Sequence, residues 1–190
     1  MSARQRATRQ LWRQAGGGGA GVLHYSLNQE SNFGAALVPL LNTLSATPFV
    51  VPERIQIAQL GILVTVPAVL GECRVGLYRN TSKRTLYPTS LIVDAGIFST
   101  AAAAYVTGAA ASGILEAGLY WAVTNFGVAA PTVQCVTATA KDAMLGWTPA
   151  GLGLVFGLQV ASAYGPLPAA FPGGAAYSAG NVAMVFGEFA

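Results

Sequence analysis

Polar and apolar residues alternate over Arg54-Ile55-Gln56-Ile57-Ala58-Gln59-Leu60, and a period of two belongs to a strand with one buried and one wetter face. Residues 62–66 continue that strand, Pro67 and Gly71 close it, and Cys73-Arg74-Val75-Gly76-Leu77-Tyr78 opens the next. Leu91-Ile92-Val93 runs into Asp94-Ala95-Gly96, a turn-forming group, before Ile97 and Phe98. Leu119-Tyr120-Trp121-Ala122-Val123 is a compact aromatic and β-branched strand in which one ring must face the core and the other the opposite side. Residues 132–137 alternate again, and strand character resumes at 160–164 and at 182–189, on either side of a Pro-rich stretch, 166–172. Residues 101–111 are rich in Ala, but Tyr105, Val106, Thr107 and Gly108 interrupt them and no cap is evident, so they read as a small-residue loop or an edge strand. The pattern over residues 22–48 is mixed and leaves the element type open.

Strand candidates recur about every 10 to 20 residues between Gly, Pro, Asn or Ser, with no alternation of strand and helix, which is the rhythm of a sandwich. The expected fold is all-β, a β-sandwich or jelly roll with a short extended or helical N-terminal arm. Gly16 to Gly19 form a flexible joint after that arm, because glycine loses the most backbone entropy on being fixed. The chain is thus divided into an arm and joint over 1–20, a connector over 21–47 and a sandwich domain over 48–190.

Composition adds a constraint on the surface. Only 9% of the 190 residues are charged while 53% are hydrophobic, so a large weakly polar surface must be covered by small side chains or by other subunits. A homo-oligomer, with a trimer favoured, is the expectation. No direct membrane insertion is expected, because Ser99, Thr100, Thr107 and Ser112 interrupt residues 95–115 and four prolines divide 143–187. Nor does the polar segment 1–15 read as a signal peptide.

Charge is unevenly distributed. Arg4, Arg6, Arg9 and Arg13 stand in a segment without an acid, whereas residues beyond 15 carry six basic against seven acidic groups. Such a terminus is either a solvated tail or a docking arm; as an arm it attracts an acidic protein surface at long range, with Leu11 and Trp12 as apolar anchors. Nucleic acid is not the expected partner.

Residues for catalysis are scarce. The one histidine, His24, lies outside the β body, so a Ser-His or Cys-His pair has little to draw on. Glu53, Glu72, Asp94, Glu116 and Asp142 are isolated in sequence, and only folding could pair two of them. Residues 151–157 spell GxGxxxG rather than the dinucleotide fingerprint. Cys73 and Cys135 lie 62 positions apart without metal-ligand spacing; they form one bridge or remain two buried thiols. The expectation is no enzyme, no cofactor and no metal. Arg79, Lys83 and Arg84, beside Tyr78 and Tyr87, form a candidate surface-recognition loop for phosphate or sugar acids, or a solvated hairpin tip.

Arg74-Val75-Gly76-Leu77-Tyr78 resembles a strand that recurs in fibre and other virion proteins of tailed bacteriophages, where a tyrosine precedes a polar turn. Pro48-Phe49-Val50-Val51-Pro52, the segment 91–96, Leu115-Glu116-Ala117-Gly118-Leu119-Tyr120-Trp121 and Leu167-Pro168-Ala169-Ala170-Phe171-Pro172 follow the same family's order, over roughly residues 45–190. The chain departs from it at 82–85, where a Gly-Pro pair is usual. The resemblance implies a virion structural protein, a tail fibre, head fibre or capsid decoration subunit, made in the bacterial host cytoplasm and anchored to capsid, neck or tail proteins. A bacterial cytoplasm favours free cysteines. The alternative is an adhesin whose loops bind host surface polysaccharide, and a polysaccharide depolymerase is least favoured. No catalytic residue is carried over.

Overall fold

The computed structural model describes residues 25–26, 35–81, 86–136, 157–178 and 180–189. The expected docking residues Arg4, Arg6, Arg9, Leu11, Trp12 and Arg13 lie outside the described residues, as do His24, Lys83, Arg84, Asp142 and 151–156.

The strands are β1 (Tyr25–Ser26), β2 (Ala35–Leu37), β3 (Thr43–Val51), β4 (Ile55–Val66), β5 (Glu72–Arg79), β6 (Leu91–Ser99), β7 (Tyr105–Leu115), β8 (Gly118–Gly127), β9 (Thr132–Val136), β10 (Gly157–Ala161), β11 (Ala176–Ser178), β12 (Val182–Ala183) and β13 (Phe186–Phe189). Among the described residues there is no helix, and the strands form two antiparallel sheets stacked as a β-sandwich. One sheet runs β11-β10-β3-β8-β5-β6; the other runs β1-β13-β4-β9-β12, with β7 beside β4 and β2 beside β9. β3 crosses residue 47, where the sequence placed the end of the connector, and pairs with β8 from Leu44↔Asn125 to Val51↔Gly118.

The period-two reading of β4 holds with one interruption. Ile57 is buried, then Leu60, Ile62 and Val64, so the buried parity changes from odd to even where the register with β7 shifts between Ile57 and Gln59. An extra residue in one strand turns the following side chains to the other face. Asp94-Ala95-Gly96 does the same in β6. These residues do not end the strand, as turn chemistry suggested; Gly96, at φ 82°, donates its N–H to Asp94 Oδ1 at 2.9 Å, and the inward positions pass from Val93 and Ala95 to Phe98. Residues 101–104 are bends and 105–115 a strand that, among the described residues, pairs with β4 alone, so the Ala-rich run is part loop and part edge strand.

Between the sheets lies a core that includes Phe49, Leu60, Ile62, Val75, Leu77, Tyr120 and Phe126. Cys73 and Cys135 are buried free thiols. A second core, with Leu44, Tyr78, Trp121, Val123, Leu167 and Phe171, occupies the outer face of the six-stranded sheet. It is roofed by residues 162–175, which connect β10 to β11 without strand pairing of their own beyond one bridge, Ser90↔Ala170.

Candidate functional site

The strapped outer face gathers the residues on which the sequence motifs rest. Gly76 sits in β5 beneath the strap, and a Cβ there would lie 2.4 Å from Leu167 Cδ1 and 2.6 Å from the Val93 carbonyl oxygen. Only glycine lets the strap settle at this height. Two residues on, the Tyr78 hydroxyl donates to the Pro168 carbonyl at 2.6 Å, and its ring meets Phe171 edge to face with centroids 5.4 Å apart. Tyr87 meets the other side of Phe171 at 5.8 Å, donates to the Pro172 carbonyl at 2.6 Å and accepts from the Ala175 N–H at 3.1 Å. The Phe171 N–H donates to the Thr89 carbonyl and the Leu91 N–H to the Ala169 carbonyl. Glycine, tyrosines and the Leu-Pro-x-x-Phe-Pro segment are therefore parts of one packing unit.

This unit forms the footing of the loop that carries Arg79. Arg79 is exposed at the end of β5; its N–H donates to the Ser90 carbonyl, and its own carbonyl accepts from the Thr89 N–H at 2.8 Å and hydroxyl at 2.6 Å. Asn80 clamps the loop, since its Oδ1 accepts both the Tyr87 N–H at 2.9 Å and the Trp121 indole N–H at 3.3 Å. Sequence reasoning missed Asn80; an Asn after a strand and before a polar loop is its only trace. Lys83 and Arg84 lie outside the described residues, so of the expected loop triad the structure places Arg79 alone.

Tyr120 and Trp121 face opposite ways, as alternation requires. Tyr120 is buried between the sheets against Phe49, with centroids 5.9 Å apart, and Trp121 is fully buried under the strap. Neither ring presents a stacking surface for a sugar. Tyr177, on β11, is 62% exposed.

Other titratable groups are engaged in structure. Glu116 holds Arg54 at 3.3 Å, and Asp94 holds Arg74 at 3.1 Å, so each of these carboxylates faces an arginine. Burial pushes the Tyr164 hydroxyl up to about 12, with the Glu72 charge adding to the rise. Burial likewise raises Tyr78, beside Asp94, and Tyr105, beside Glu188. Burial lifts both thiols above their ordinary range, which suppresses the thiolate that nucleophilic chemistry needs. Among the described residues no group of three His, Cys, Asp or Glu side chains is placed to hold a metal, and no helix is long and apolar enough to cross a membrane. A cleft of about 40 Å³ opens between Leu37, Leu40, Ser45, Thr124, Gln159 and Val182, water-sized beside the ~300 Å³ or more of usual ligand sites.

Set against protein-family models the chain matches none, and a comparison with the curated proteins gives no match either.

Proposed function

We propose that the chain is a non-enzymatic structural protein of a bacteriophage particle, a fibre or decoration subunit that displays a β-sandwich and docks through its N-terminal region. The observation that carries this reading is the strapped face. The residues on which the resemblance to virion fibre proteins rests, Gly76, Tyr78, Trp121 and Leu167 to Phe171, interlock in one packing unit, which supports reading them as architecture and not as a reaction centre. Docking falls to Arg4, Arg6, Arg9 and Arg13, with Leu11 and Trp12 as anchors, toward an acidic surface on a capsid, neck or tail protein.

The test is incorporation. Particles purified on a density gradient from a producing culture are probed with an antibody raised against residues 35–189, and the same is done with a chain lacking residues 1–20. Full-length protein co-purifying with particles, and loss of that signal on truncation with the circular dichroism of the free protein unchanged, is the expected result. Protein found only in the soluble fraction would overturn the reading.

A second reading, an adhesin for host surface polysaccharide, draws on the stiff footing of the loop at Arg79. It predicts binding to acidic glycans that Arg79→Ala, Lys83→Ala and Arg84→Ala together abolish; a glycan array without signal removes it.

A further inference from the structure

Six of the eleven large apolar side chains exposed among the described residues gather at the end of the sandwich opposite Arg79: Val38, Leu40, Val66, Val69, Leu70 and Val128. Their segments are tied together. The Ala68 N–H donates to the Thr100 carbonyl at 3.0 Å, and the Thr100 N–H returns to the Gly71 carbonyl at 2.8 Å, joining the loops at 67–71 and 99–104. The 127–131 loop abuts them, since a Cβ on Gly71 would lie 2.9 Å from the Ala129 carbonyl oxygen. Val66 pairs with Thr132 and Leu37 with Val133, which brings Val38 to the same rim. Asn42 donates to the Phe126 carbonyl at 2.9 Å and draws Leu40 toward Val128.

Three properties of this end point the same way. No charged or aromatic residue occurs in 36–42, 64–71, 99–104 or 127–131. Leu70 and Val128 are both held at φ 63°, a left-handed backbone that a bulky or β-branched residue seldom adopts, so the two side chains are kept outward at a local conformational cost. The surface is also large. Its six side chains are each more than half exposed and lie beside the exposed alanines at 101–104, a spread of apolar surface on the scale of the roughly 800 Å² that one partner contributes to a standard-size protein interface.

We infer that this end is the surface through which one copy of the chain binds another. A neutral aliphatic patch is complementary to itself, which is what contact between like surfaces requires, whereas a charged patch repels its copy. Other occupants fit less well. Anionic lipid is attracted by Lys and Arg, a membrane interface is anchored by Trp and Tyr, and a sugar needs an aromatic face; the four segments that carry the patch hold none of these, and the Tyr164 ring beside them packs against Gly127 with its hydroxyl buried. The inference stands independently of the virion reading, because it concerns only how copies of the chain meet.

Sedimentation velocity of the full-length chain at micromolar concentrations tests it. The wild type is expected to sediment as an oligomer. Val69→Lys and Leu70→Gly are each expected to weaken association about tenfold or more and to give single chains with unchanged far-UV circular dichroism. Leu70→Gly is the decisive variant, because it deletes the apolar side chain while relieving the left-handed backbone, so dissociation cannot be put down to misfolding. Ile114→Lys, exposed at the opposite end, should leave the assembly intact. A wild-type chain that stays monomeric at its solubility limit would overturn the inference, as would variants with the wild-type mass or dissociation by Ile114→Lys. Association only with anionic vesicles would assign the surface to lipid instead.

Discussion

Tyr120 and Trp121 are neighbours in the chain and belong to different cores, and the two cores are closed by different means. Tyr120 looks into the space between the sheets, where the lid is a second sheet positioned by its own strand pairing. Alternating apolar residues suffice there, because the backbone bonds are already satisfied within each sheet. Trp121 looks outward under residues 162–175, a lid without a hydrogen-bonding ladder. Its backbone carbonyls must be met one at a time, and the hydroxyls of Tyr78 and Tyr87 meet two of them. A sheet can be roofed by pattern alone, whereas an irregular strap needs residues chosen position by position.

The largest expected effect comes from pH. Tyr78, Tyr105 and Tyr164 are all raised by burial, Tyr164 to about 12. A phenol whose folded value exceeds its unfolded value, near 10, supports the fold fully below that pH and withdraws the support as pH climbs through the folded value. The domain should therefore hold to about pH 10 and unfold above it, with tyrosinate absorbance and loss of circular dichroism rising together. Full ionisation of every tyrosine in a chain that keeps its β spectrum would contradict this.

Next in size are truncations in the two cores. Phe49→Ala and Trp121→Ala should each cost about 4 kcal/mol in denaturant unfolding, as large-to-small changes at fully buried rings do. They should differ in how the fold gives way. Trp121→Ala is expected to open residues 162–175 to proteolysis while the remaining strands stay protected from hydrogen exchange, whereas Phe49→Ala should raise exchange throughout. Identical cleavage and exchange maps would mean that the two cores act as one cooperative unit.

Gly76→Ala should cost about 2 kcal/mol, because its methyl would meet both the strap and the Val93 carbonyl. Adding Leu167→Ala removes only the first of these clashes, so thermal melting of the double variant should show a loss smaller than the sum of the two single ones. The smallest effect is Tyr78→Phe, about 1 to 2 kcal/mol, since it leaves the ring in place and strands the Pro168 carbonyl. A neutral Tyr78→Phe would show that this carbonyl reaches water and that the strap is looser than its contacts imply.

The sequence carried these two regions unequally. The inner core was legible in the alternation of Ile55, Ile57, Leu60, Ile62 and Val64, and even the bulge is written there as a change of parity. Asp94-Ala95-Gly96 was read as a turn-forming group, and the structure uses it inside a strand instead, since a bulge and a turn draw on the same residues and only the partner strand decides between them. The outer core was visible as separate motifs. That Gly76 makes room for Leu167, or that Asn80 ties Tyr87 to Trp121, depends on contacts between residues tens of positions apart, which periodicity does not register. The apolar end was foreshadowed only as a global shortage of charge; its location follows from how the loops are brought together.

The placement of β10 and β13 bears on how the chain comes to be folded at all. β10 lies against β3, β13 against β4, and the strap roofs Trp121, so both sheets and one core are completed by residues beyond 156. Contacts this distant in sequence close the largest loops and make for slow, non-local folding. On the ribosome, β3 and β4 must each wait with one bare edge until residues 157–189 emerge, and bare edges invite pairing with neighbouring nascent chains. Release of a chain truncated near residue 156 should yield aggregate rather than a smaller domain.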